Sequence, residues 1–406
     1  MAPWEIAKKA PVASGSNGID ALPDGVLEHI LGFLPAPEAV RTCVLARRWR
    51  HLWKFATGLR INIIPDHAKQ SPSYEELLQF VEHLLEHRGL APLETCELRF
   101  VVGYTDAMLY LNRWIQHVVM CKVQMLRLSN TYHGWFQLDP LVSQHLMRLE
   151  LVGLMLTSRF CDLSNCPALE HLEFDDCNFS CIQKISSESL KCLCIRNSFP
   201  DYMRLTILFC VPSLVSFRLD DHWCRTPVFQ SVPLLQEAFV RVTGVFPDCC
   251  CDEPGHEDGD VEDCFSCYNI EHDNKRLLLE GLSEVVNLSM IAESRKVILD
   301  WDLKQWPQFN NLKTLLLNDC WCVAPKFHAL TCILKHSPLL EKLTLELFSK
   351  EPEHKMEIFG RCNPMERSPA ISQHLKSIEV KCEVVDKDVQ KVLRFLCTLN
   401  ISFIFK

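Results

Sequence analysis

The chain has 406 residues, 48% of them hydrophobic and 23% charged, with a formal net charge of −9. That length exceeds one ordinary compact core, so two domains or a repeat array is expected, within the composition of a soluble globular protein. The acidic balance without a basic stripe argues against nucleic acid as partner, and without an apolar run of about 18 residues no membrane span is expected.

Residues 1–17 read as a flexible tail, with Ser14-Gly15-Ser16-Asn17 and no apolar period. The tail lacks the apolar stretch of an export signal, so a cytoplasmic or nuclear location is expected. Residues 18–56 read as three short amphipathic helices. In the first, Leu27, Ile30, Leu31 and Leu34 fall on one face. Pro23 and Asp24 suit its start, and Pro35 stops it. The second begins at Pro37 and Glu38 and turns Val40 and Val44 inward. In the third, Leu45, Trp49, Leu52 and Trp53 share a face, and Arg47, Arg48 and Arg50 take the other. Such a module has too little core to stand alone. Its tryptophan-bearing face is expected either to meet a partner protein or to cap the chain that follows, with the rings against the first repeat.

Two further amphipathic helices are predicted over 73–88 and 106–121. Between them begins a recurring L-x-x-L-x-L pattern, at Leu93, Cys96 and Leu98. It returns about every 21 to 28 residues, the leucine-rich-repeat range. Clear copies are Leu146, Leu149, Leu151; Leu169, Leu172, Phe174; Leu190, Leu193, Ile195; and Leu312, Leu315, Leu317. The last begins at Leu375. Each L-x-L predicts a short strand that buries its inward side chains only when neighbours stack, so residues 57–370 read as a curved solenoid with a parallel sheet on its concave face. The fold class is α+β, an α/β solenoid behind a helical module. Residues 246–274, acidic and cysteine-rich, interrupt the array as an insertion without a core of its own.

Strand alternation turns the residues flanking each inward pair to the concave face. His171, Glu173, Arg196, Arg218, Asp220, Glu237, Phe239 and Arg241 are the candidate target-binding residues there. A polar, mixed-charge surface with Phe239 in its middle suits a protein or peptide. No catalytic residue, cofactor or metal is assigned. Cys249, Cys250, Cys251, His256, Cys264 and Cys267 include one C-x-x-C but lack a second well-spaced pair for zinc. Asp175-Asp176 and Asp220-Asp221 end repeat strands, where turn capping explains them better than acid catalysis. Many of the 22 cysteines, among them Cys166, Cys177, Cys210 and Cys320, sit in apolar patterns and read as buried reduced thiols.

The segments Asp20–Asp24, Ala39–Leu45 and Arg47–Trp53 resemble the F-box. The chain as a whole is similar to the plant family of F-box, leucine-rich-repeat and FBD-type proteins, with residues 371–406 as the FBD-like cap. The resemblance implies a non-catalytic substrate-recognition subunit of a ubiquitin ligase. Leu22, Pro23, Leu27, Ile30, Leu31, Leu34, Val40, Val44, Leu45, Trp49, Leu52 and Trp53 would bind a Skp-family adaptor and, through it, a cullin. The repeats would hold an unknown target. A small-molecule-dependent receptor of the same architecture, or a scaffold acting outside any ligase, are the alternatives.

Overall fold

The computed structural model describes residues 18–64, 73–101, 105–131, 138–197, 207–221, 228–242, 277–292, 307–322, 328–348, 374–385, 387–397 and 403–405. The N-terminal tail and the acidic insertion lie outside them. So do the cysteines and His256 weighed as zinc ligands.

Two helices open the chain, α1 (Asp24–Leu31) and α2 (Ala36–Arg41). The predicted third helix is instead a pair of 3-10 turns, Arg47–Arg50 and Leu52–Phe55. Ala46 is extended, with φ −158° and ψ 162°, and this breaks the helical path after Leu45. Strand β1 (Gly58–Ile63) follows at once, then α3 (Tyr74–Arg88), β2 (Thr95–Phe100) and α4 (Thr105–Met120). Ser73 and Glu76 close a capping box at the start of α3, satisfying two backbone N–H groups that the first turn leaves open.

The repeats supply β3 (Met125–Asn130), β4 (Arg148–Val152), β5 (Met155–Thr157), β6 (His171–Asp175), β7 (Asn178–Cys181), β8 (Lys184–Ser186) and β9 (Cys192–Arg196). After them come β10 (Leu208–Cys210), β11 (Ser216–Asp221), β12 (Val228–Phe229), β13 (Glu237–Val242), β14 (Asn287–Ala292) and β15 (Thr314–Asn318). The last are β16 (Lys342–Glu346), β17 (Ser377–Lys381) and β18 (Phe403–Phe405). Thirteen of these form one parallel sheet in chain order, β1-β2-β3-β4-β6-β9-β11-β13-β14-β15-β16-β17-β18. The short strands β5, β7, β8, β10 and β12 pair among themselves outside it.

The leucine pattern explains this sheet. Leu126 and Leu128, Leu149 and Leu151, Leu193 and Ile195, and Leu343 and Leu345 are all buried in one continuous core. The pairing keeps them in line, with Leu126 opposite Leu149 and Leu149 opposite Leu172. A slip by one residue would turn every leucine outward, so burial fixes the register. Backbone bonds lock it further. The carbonyl before each strand accepts two N–H groups from the next repeat: Met147 O takes Glu170 N at 2.9 Å and His171 N at 3.0 Å, and Lys313 O takes Glu341 N at 2.8 Å and Lys342 N at 2.9 Å.

At the strand exits Gly153, Asp176 and Asn197 hold φ of 66°, 55° and 47°. These are the residue types that enter the left-handed region at least cost. Asp176 thus serves the turn as expected. Asp220 does not, because its carboxylate lies in an ion-pair ladder on the sheet. Cys161, Cys166, Cys177 and Cys320 are buried free thiols, whereas Cys210 is only half-buried and donates to Gln230 Oε1 at 2.9 Å. Burial pushes the Cys177 and Cys322 thiols up to about 12.

Candidate docking surfaces

The N-terminal module distributes its apolar residues differently from the sequence reading. Leu27, Leu31, Trp49 and Leu52 form its own small core with Ala56, and Trp49 is only 4% exposed. These four are corrected: they build the module and offer no surface. The reason is geometric, since the extended Ala46 swings the Arg47–Arg50 turn so that Trp49 points back at α1. Leu22, Ile30, Leu34 and Trp53 are half-buried against that core, and Val40 and Trp53 also pack against the solenoid. Capping of the first repeat is therefore real.

Val44, predicted inward, is 82% exposed, and Leu45 is 68% exposed. Both sit in or beside the Thr42–Val44 turn, which abuts the Arg47–Arg50 turn. Arg48 crosses from there to the start of α1. Its Nε donates to Asp24 Oδ1 at 2.7 Å, and one Nη donates to the Leu22 carbonyl. That bridge ties the start of α1, with the exposed Pro23, to the turn that abuts Val44. Val26 lies in the first turn of α1 and is also exposed. Val26 was missed because it falls outside the 27-30-31-34 stripe. An apolar side chain on the otherwise polar side of α1 is the signal that could have found it.

The module joins the solenoid without a linker. Pro35 pairs with Arg60 as a parallel bridge, and Arg88 from α3 is buried at the seam. Its Nη2 donates to the carbonyls of Ala56 at 2.6 Å and Pro92 at 3.2 Å, and Nη1 donates to Trp53 O at 3.4 Å. Burial lowers the Arg88 pKa, and the nearby Cys96 and Cys121 thiols are raised by burial and stay neutral.

The outer face of the sheet carries an arginine–carboxylate ladder. One row of register partners runs Arg60, Glu97, Arg127, Glu150, Glu173, Cys194, Arg218 and Phe239. Arg127 reaches Glu150 at 2.7 Å and Glu97 at 3.8 Å. Arg148 reaches Glu150 at 2.8 Å and Glu173 at 4.0 Å. Arg196 pairs with Glu173 and lies 3.9 Å from Asp175. Arg218 and Arg241 approach Asp220 at 2.6 and 3.5 Å. The structure thus gathers Glu173, Arg196, Arg218, Asp220, Phe239 and Arg241 in or beside this ladder. His171 and Glu237 lie in the adjoining row, with Cys192 and Ser216 between them.

Glu150 is the ladder's buried member. Burial by itself would raise its carboxyl, but hydrogen bonds from Arg148 and Arg127 outweigh that and hold it below its ordinary value of 4.5. A depressed folded pKa stabilises the native state above the unfolded pKa, and that contribution is lost as pH falls through the folded one. Glu150→Gln should therefore cost on the order of 2 kcal/mol at neutral pH and flatten the acid limb below the ordinary carboxylate range. Urea midpoints measured between neutral and strongly acid pH would show this. An unchanged acid limb would remove Glu150 from the account.

A parallel leucine-repeat sheet behind a helical module of this shape defines an F-box protein with a leucine-rich-repeat solenoid. The F-box domain family model matches residues 19–56. A rice (Oryza sativa subsp. japonica) protein described as meiotic F-box protein MOF is 30% identical, over 89% of this chain and 79% of its own length. An F-box/FBD/LRR-repeat protein of Arabidopsis thaliana is 26% identical over 82% of this chain and 78% of its own, and an F-box/LRR-repeat protein of the same plant is 28% identical over 82% and 94%. The chain belongs to the plant family of F-box, leucine-rich-repeat and FBD-type proteins.

Proposed function

We propose that this protein is the substrate-recognition subunit of a Skp–cullin–F-box ubiquitin ligase, acting in the cytoplasm or nucleus without catalysing a reaction itself. The Skp-family adaptor docks on the F-box face of Leu22, Pro23, Val26, Val44 and Leu45. The outer face of the sheet holds the target. The observation that carries this reading is the exposed Val44–Leu45 pair, which folding leaves uncovered although every repeat leucine of the array is buried. Apolar residues displayed this openly beside a fixed backbone are typical anchors for a partner. The mechanism is proximity: a target held on the solenoid has a raised effective concentration near the ubiquitin-charged enzyme that the cullin brings.

The test compares the native chain with a Val44→Asp/Leu45→Asp variant in plant cells with the proteasome blocked. Deleting the whole module is unsuitable, because Ala36, Val40 and Trp53 pack on the solenoid core. The native chain should co-purify with adaptor and cullin. The variant should lose both and accumulate unmodified target. Equal recovery of adaptor on both chains would reject the docking face, and adaptor without cullin on the native chain would reject the ligase role.

A further inference from the structure

The ladder is not evenly balanced along its length. Arg127, Arg148 and Arg196 each lie between two carboxylates. Arg218 and Arg241 share one, Asp220. The imbalance comes from register. Upstream of Arg218 the partner on β9 is the uncharged Cys194, and beyond Arg241 the partner on β14 is Ile291. Glu237 lies two residues from Phe239 on the same strand, yet among the described residues no ion pair joins it to either guanidinium. Among the described residues two guanidiniums thus meet one carboxylate here, on a chain of net charge −9.

The same spot holds an aromatic platform. Phe239 is half-buried in the face, with the Arg218 guanidinium 4.0 Å from its ring centroid and that of Arg241 at 5.9 Å. A guanidinium over a ring is held in orientation at little entropic cost, and its in-plane N–H donors stay available at the edge. Two planar forks, one carboxylate and a ring to fix them form a preorganised acceptor for one more carboxylate.

We propose that Arg218, Arg241 and Phe239 dock an acidic, carboxylate-bearing segment of the target protein. The inference rests on the reading of this face as the target surface and adds the chemistry of what it takes. An extended peptide crossing β11 and β13 places a Glu or Asp carboxylate between the two guanidiniums and supplies the second acid that Asp220 alone does not provide.

The test uses the full chain and a fluorescein-labelled peptide of alternating Glu and Ser. A Gln/Ser peptide and a phosphoserine peptide of equal length serve for comparison, read by anisotropy at low salt. The Glu peptide should bind at least about 10-fold more tightly than the Gln peptide. Arg218→Gln with Arg241→Gln should abolish that preference, and Lys376→Gln should leave it within about twofold. Arg218→Lys keeps the charge but loses the fork and the stacking, so it should retain only part. Equal affinity for the Glu and Gln peptides, or a preference that survives the double variant, would overturn the proposal. Binding of the phosphoserine peptide alone would overturn the choice of carboxylate. Adaptor co-purification is scored on the same preparations: adaptor retained without peptide preference removes only this docking point, whereas adaptor lost from the native chain removes the ligase reading.

Discussion

Val44→Asp combined with Leu45→Asp is expected to weaken adaptor binding by at least about 100-fold and leave the fold intact. Both side chains stand in solvent, so the substitutions remove no internal contact. Exposed-site changes of this kind typically alter stability by less than about 0.5 kcal/mol. In a complex, however, each Asp would sit in a desolvated apolar pocket, where an unpaired carboxylate costs several kcal/mol. Trp49→Ala separates the alternatives. It should destabilise the module by roughly 3 kcal/mol or more, because the ring is packed among Leu27, Leu31 and Leu52. Binding titrations of purified adaptor, run beside thermal unfolding, would show the surface pair losing affinity at constant Tm. The opposite pattern would return the docking role to the tryptophan face.

Gly32→Ala should open the seam between the F-box module and the solenoid. A Cβ on Gly32 would stand 2.5 Å from Gly58 N and 3.0 Å from Gly58 Cα, and one on Gly58 would meet Gly32 O at 2.5 Å. Both obstacles are backbone, which cannot rotate aside as a side chain would. Forcing the end of α1 away from β1 should cost about 2–3 kcal/mol and loosen the Pro35–Arg60 bridge. Limited proteolysis should then cut near Thr57, where the native protein should resist, and Tm should fall by several degrees. A variant with native Tm and native protection would show that the seam yields freely. The functional consequence follows from continuity: β1 follows the Leu52–Phe55 turn with only Ala56 and Thr57 between, so the proposed adaptor and target faces are held at one fixed separation, and a loosened seam should slow ubiquitin transfer even where both partners still bind.

Much of the architecture was legible in the leucine pattern. Leu149 with Leu151 and Leu193 with Ile195 announce strands, because alternate residues must share a face. Their even spacing announces stacking, because one such strand cannot bury its own side chains. Placement of Arg218 and Phe239 on the outer face followed from the same alternation. The F-box wording identified the module as well, but the roles within it were legible only in part. Helical periodicity places Trp49 and Leu45 on one stripe; the extended Ala46 sends one into the core and the other into solvent. Periodicity assumes a continuous helix, and a single non-helical residue cancels it. Gly32, Gly58 and Arg88 carried no local signal at all, because the seam they form joins segments far apart in the chain.

The sequence by itself determined which side of every repeat is buried, since hydrophobic burial follows directly from residue type and strand period. Tertiary structure alone decided which apolar residues of the F-box stay uncovered and which charges meet across the sheet. Those outcomes depend on the path of the backbone between elements and on strand register, and neither is a property of any short stretch of chain.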